Sequence, residues 1–95
     1  MRDYELVLVI SPEAGEEQTT GMVGRITSFI EEQGGSVTNQ EGWGVRRLAY
    51  PIKKFREGHY FITEFTLDPI KAVELEASVQ ASQEVLRHLM VKKSA

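Results

Sequence analysis

Tyr4-Glu5-Leu6-Val7-Leu8-Val9-Ile10-Ser11-Pro12-Glu13-Ala14-Gly15 sets the architecture, because a period-two strand runs through one turn straight into a helix. Tyr4, Leu6, Leu8 and Ile10 alternate onto one side and Glu5, Val7 and Val9 onto the other, so the even side is expected to be core. The helix is predicted over about 15 to 33. Gly15 serves as N-cap, Glu16 and Glu17 suit the positive end of the helix dipole, and Gly34-Gly35 supplies the left-handed stop. Met22, Ile26, Phe29 and Ile30 mark its buried stripe, with Val23 flanking.

A second strand is expected over roughly 36 to 51, with Gly42 and Gly44 around Trp43 signalling a bulge. Pro51 has no ladder N–H to give, which places this strand at a sheet edge. Lys53 to Gly58 reads as a connecting loop, and His59 to Leu67, rich in Phe, Tyr, Ile and Thr, as a third strand. Asp68-Pro69 starts a second helix, the carboxylate capping and the proline taking the first helical position; Ala72, Leu75 and Val79 form its inner face. Val85 to Val91 is the fourth strand and ends in Lys92-Lys93.

The order strand, helix, strand, strand, helix, strand, joined by two right-handed crossovers, gives an α+β fold. A four-stranded antiparallel sheet carries two helices on one face, which is the ferredoxin-like split β-α-β arrangement, βαββαβ. The other face stays open. With the usual strand order for this topology (fourth, first, third, second), the strands carrying Arg46 and Arg47 and carrying Arg87 lie on opposite edges. They are separated by roughly 15 Å at about 4.8 Å per strand.

Ninety-five residues fit one domain, 1–95, with one core layer between sheet and helices. Cysteine is absent and the longest early apolar run, Leu6 to Ile10, is too short for a membrane span or a signal core, so a cytoplasmic location without membrane contact is expected. Net charge is −3, yet the charge is sorted by region. Of eleven Lys and Arg residues, only Arg2 and Arg25 fall before residue 46, against Asp3, Glu5, Glu13, Glu16, Glu17, Glu31, Glu32 and Glu41. The segment Gly44-Val45-Arg46-Arg47-Leu48-Ala49-Tyr50-Pro51-Ile52-Lys53-Lys54 packs four cations among apolar and aromatic residues and reads as a surface for phosphates. Charges on an edge strand also discourage sheet-to-sheet aggregation, and the pattern by itself leaves both readings open.

That same segment closely resembles the signature of the bacterial small-subunit ribosomal protein six family. Met1-Arg2-Asp3-Tyr4-Glu5 and Val85-Leu86-Arg87-His88-Leu89-Met90-Val91-Lys92-Lys93 resemble the family's two ends. The resemblance implies a non-catalytic constituent of the ribosome that binds the central domain of small-subunit ribosomal RNA as a pair with small-subunit ribosomal protein eighteen. It assigns RNA binding to Arg46, Arg47, Arg87 and Lys92, and by position in the terminal motifs to Arg2 and Lys93.

Lys53, Lys54 and Arg56 are weaker RNA-binding candidates, since a basic loop also serves simply to solvate itself. Tyr50 is read as ordinary packing, and Trp43, flanked by glycines on an edge strand, as the candidate contact for the partner protein. Residues 58 to 65 have a passing similarity to the aromatic third strand of RNA-recognition motifs, but Glu64 stands where an aromatic belongs. His59 and His88 are the only histidines, and no metal site, cofactor or small-molecule substrate is expected. Two other functions fit the topology. One is a regulatory domain that dimerises through Val7, Val9 and Ile62; the other is an acylphosphatase-like enzyme, for which the acidic turn Ser11 to Gly15 is a poor phosphate cradle.

Overall fold

The computed structural model describes residues 1–93. The elements are β1 (Arg2–Ile10), α1 (Glu16–Glu32), β2 (Ser36–Ile52), β3 (Phe55–Leu67), α2 (Pro69–Ala81) and β4 (Val85–Lys92). All strand pairs are antiparallel and the sheet order is β2-β3-β1-β4, so the fold is the expected ferredoxin-like βαββαβ with β2 and β4 at the edges.

Alternation along β1 buries Tyr4, Leu6, Leu8 and Ile10 beneath the helices. They meet Met22, Ile26 and Ile30 of α1, Ala72, Leu75 and Val79 of α2, and Phe65 and Leu67 of β3. Phe65 stacks on Tyr4 with ring centroids 5.6 Å apart. Burying such side chains contributes about 1.5–3 kcal/mol each, and it is this layer that fixes the helices to one face.

The helix ends follow from local chemistry. Gly34 takes the left-handed conformation (φ 86°). Its N–H donates to the Glu31 carbonyl at 3.1 Å while that of Gly35 reaches the Ile30 carbonyl at 2.8 Å, a Schellman closure. Gly35 itself is needed for a different reason: a β-carbon there would collide with the Thr66 carbonyl oxygen. At α2, Asp68 Oδ1 accepts from the Ile70 N–H at 3.0 Å and Pro69 occupies the first turn.

Two expectations need correction. The predicted loop from Lys53 to Gly58 is a turn of two residues: Ile52 pairs with Phe55, and β3 begins there, four residues before the expected His59. Lys53 and Lys54 both have positive φ, 48° and 69°, the signature of a type I′ hairpin turn. No Gly or Asn marks them, which is why sequence reading passes over the turn. Arg56 is therefore a strand residue.

The second correction concerns the open face. Val9 lies on that side yet is buried, because the hairpin folds down on it. Three register shifts interrupt β2: one between Val37 and Asn39, one between Gly42 and Gly44, which leaves Trp43 unpaired as the sequence suggests, and a wider one between Arg47 and Ile52. In the wider one, Leu48, Ala49, Tyr50 and Pro51 all oppose Arg56 alone. Leu48 turns inward and is buried; Tyr50 stays exposed.

Candidate nucleic-acid interface

Register sorts the candidate cations by position. Arg46 is opposite Gly58 and Arg47 opposite Glu57, just beyond the last β1–β3 pair, Ile10 with His59. Arg87 is opposite Val9, near the same end of the sheet. Lys53 and Lys54 form the hairpin tip and Arg56 follows them. These six cations thus gather where β1 runs out. Lys92 pairs with Tyr4, five residues back along β1 from Val9, and Arg2 starts that strand, two residues further back. At about 3.3 Å per residue they lie roughly 17 and 23 Å from Arg87. The nine candidates form two groups rather than one margin.

Arg46 and Arg47 are sequence neighbours in an extended strand and point to opposite faces. Arg46 takes the open face. There Tyr60, in register with Val9, stacks on Trp43 with centroids 6.4 Å apart and an interplanar angle of 12°. The Arg46 guanidinium lies over the same indole, 5.9 Å from its centroid. Arg46 Nε donates to the Trp43 carbonyl at 3.2 Å, and Trp43 Nε1 donates to Glu41 Oε2 at 3.3 Å. Gly44, at φ 75°, supplies the left-handed residue that lets the chain resume after the bulge.

Arg87 joins the same surface from the other edge. Its Nη1 donates to the hydroxyl of Tyr50 at 3.4 Å. Tyr50 therefore does not pack into the core as expected; more than half exposed, it extends from the wide bulge across the sheet end. The distance of about 15 Å between edges holds for the flat sheet, but the curled hairpin brings side chains of β2 and β4 together.

Electrostatically the two ends differ. Among the described residues the ion pairs are Lys71 with Glu74, His88 with Glu76, and Lys93 with Glu64, so Arg46, Arg47 and Arg87 have no carboxylate partner within pairing distance. Lys93 has its ammonium 2.8 Å from Glu64 Oε1. That hydrogen bond holds the Glu64 carboxyl below the usual range and raises Lys93, with Glu5 and Asp3 adding to the field at the lysine. Phosphate binding at Lys93 requires displacing Glu64, whereas at Arg46 and Arg87 it requires only water to leave.

Between the two ends the open face carries an apolar strip bordered by Glu5, Glu41 and Glu64. Val7 and Ile62 are opposite each other and partly covered, while Leu89 and Val91 of β4 are exposed. Trp43 borders this strip and is 45 % exposed, a position open to a partner. Tyr60 is the residue of this candidate surface that sequence reading missed; its parity with Val7, Val9 and Ile62 was the signal that could have found it. In the turn after β1, the Glu13 N–H bonds Ser11 Oγ at 3.1 Å and the Ala14 N–H the Ser11 carbonyl at 3.0 Å. Those amides are spoken for and form no anion cradle. No group of three or more metal-ligating side chains assembles among the described residues, and no helix there is long and apolar enough to cross a membrane.

Residues 3–92 match the profile of the family described as Ribosomal protein S6. The small ribosomal subunit protein bS6 of Moorella thermoacetica is 44 % identical over 92 residues, covering 97 % of this chain and 94 % of that protein. The bS6 protein of Caldanaerobacter subterraneus subsp. tengcongensis is 41 % identical, with 97 % of each chain covered. The crystal structure of 30S ribosomal protein S6 from Thermotoga maritima superposes with a TM-score of 0.90 at 34 % identity, spanning 97 % of this chain and 87 % of that one. Sequence and fold agree along nearly the whole described length, and the chain belongs to the ribosomal protein S6 family.

Proposed function

We propose that this chain is a non-catalytic constituent of the small ribosomal subunit in the cytoplasm, binding the central domain of small-subunit ribosomal RNA together with small-subunit ribosomal protein eighteen. The observation that carries the RNA reading is the cationic end of the sheet: among the described residues Arg46, Arg47 and Arg87 lack carboxylate partners, in a chain whose net charge is −3. A guanidinium bonds phosphate through two parallel N–H groups and stacks on exposed bases. The deep groove of A-form RNA excludes side chains, so the contacts are to phosphates, shape and unpaired junction bases. Lys53, Lys54 and Arg56 extend this surface, and Arg2, Lys92 and Lys93 form a second contact at the opposite end.

The partner protein takes the open face. Trp43, Leu89 and Val91 supply apolar area, and Glu5 opposite Glu64 supplies negative charge for a basic chain.

The test is binding of the full chain to a central-domain RNA fragment with and without protein eighteen, over a salt series. Engagement of about four to six phosphates gives a log–log salt slope of roughly −3 to −5. Replacing Arg46, Arg47 and Arg87 together by Ala makes the slope shallower by roughly 2 to 3 and reduces incorporation into small subunits. Unchanged slope and incorporation overturn the assignment.

A further inference from the structure

We propose that Tyr60 and Tyr50 are positioning residues, which hold the guanidinium groups of Arg46 and Arg87 on one RNA-facing surface although the two arginines belong to opposite edge strands. The inference rests on the RNA-binding reading above and assigns a role to two residues that do not themselves touch phosphate.

A free arginine side chain samples many rotamers, and fixing it at the moment of binding costs affinity. Here each already has a protein partner before RNA arrives. Tyr60 stands on the central strand β3 and stacks under Trp43, which sets the plane of the indole. Arg46 is then held twice, by the ring at 5.9 Å and by the Trp43 carbonyl at 3.2 Å through Nε. Its two Nη groups have no protein acceptor among the described residues and form the fork a phosphate needs. Arg87 gives one N–H, on Nη1, to Tyr50 and keeps its others. Tyr50 reaches it only because three surplus residues in the wide bulge carry β2 over the sheet end.

The geometry separates the two tyrosines chemically. Tyr60 acts through its ring, so Phe replaces it and Ala does not. Tyr50 acts through its hydroxyl, so Phe removes the function while leaving the exposed ring in place.

The experiment measures affinity of the full chain for the central-domain RNA fragment in the presence of protein eighteen. Tyr60→Ala is expected to weaken binding about threefold to tenfold while Tyr60→Phe binds as wild type. Tyr50→Phe is expected to weaken binding about threefold, with no further loss when added to Arg87→Ala. Trp43 is the only tryptophan, so its fluorescence in the free protein reports the stack directly. Tyr60→Ala shifts the emission and Tyr60→Phe does not. Should the wild-type chain bind while both Tyr60→Ala and Tyr50→Phe bind equally well, positioning is overturned and the RNA reading stands. Should the wild-type chain fail to bind, the RNA reading falls; unaltered Trp43 emission in Tyr60→Ala then removes the scaffold too. Equal losses for Tyr60→Phe and Tyr60→Ala, or additive losses for Tyr50→Phe and Arg87→Ala, also overturn it.

Discussion

Gly58 lies directly over Val9: a β-carbon at Gly58 would fall 2.5 Å from Val9 Cγ1 and 3.3 Å from the Ile10 carbonyl oxygen. This close approach sets how the hairpin settles onto the sheet, and Arg46 sits opposite Gly58 in register. Val9 is buried for the same reason, on a face that is otherwise open. Gly58→Ala is expected to cost about 1–3 kcal/mol, because one atom must be accommodated between packed main chain and a stiff β-branched side chain. Urea unfolding checks it. In Gly58→Ala/Val9→Ala the two losses should sum to more than the double variant shows, since shortening Val9 makes room for the new methyl.

At the start of α2 a single side chain closes the helix. Asp68 Oδ1 takes the Ile70 N–H at 3.0 Å, so Asp68→Ala leaves that amide without its protein acceptor and is expected to cost about 1 kcal/mol. Asp68→Asn keeps the acceptor and should stay within a few tenths of wild type. The midpoints of urea transitions, at unchanged slope, separate the two.

What the sequence made legible was what local chemistry controls. Alternation in Tyr4 to Ile10 gave the buried face, Asp68-Pro69 and Gly34-Gly35 gave helix ends, and the paired glycines around Trp43 gave the bulge. Element order then fixed the topology, since right-handed crossovers leave few alternatives. What escaped depends on distance along the chain. Tyr50 and Arg87 are thirty-seven residues apart and meet only because an irregular bulge curls the hairpin, which no alternation pattern encodes. The turn at Lys53-Lys54 escaped for the opposite reason: its conformation is the one that Asn-Gly adopts, and lysine gives no sign of it. The cations were found, but their division between two ends of the sheet required the register.

The Lys93–Glu64 bond makes a pH-dependent tie between the end of β4 and β3. Glu64 is held below the ordinary carboxylate range chiefly by the hydrogen bond from Lys93, so its contribution is present above the unfolded-state value and is lost as pH falls through the lowered one. Lys93 is raised by the same bond, so its contribution is present below the unfolded-state value and lost only as pH rises through the raised one. The tie is therefore constant across neutral pH. In Lys93→Met the Glu64 midpoint should move upward, because the hydrogen bond and the positive charge that hold it down are both removed. Carboxyl-carbon NMR titration reads the midpoint. The stability difference between Lys93→Met and wild type should vanish in acid; a difference that persists there means the lysine acts by packing instead.

At the hairpin tip, stability and binding are set against each other. Lys53 and Lys54 hold φ of 48° and 69°, a conformation that costs an L-residue with a β-carbon about 1–2 kcal/mol. Asn-Gly adopts it readily, so Lys53→Asn/Lys54→Gly is expected to stabilise the protein by about 1–2 kcal/mol. The same change removes two cations from the end of the sheet where Arg46, Arg47 and Arg87 gather. If each lysine meets one phosphate, RNA affinity falls and the salt slope becomes shallower by roughly 0.9 for every phosphate released from the protein. A variant that is more stable and binds with the wild-type slope would show that the lysines lie off the RNA, and would leave their strained backbone without a functional reason. One that is more stable and binds less steeply ties the strain to phosphate binding, the pattern expected where a binding surface is kept at the expense of the fold.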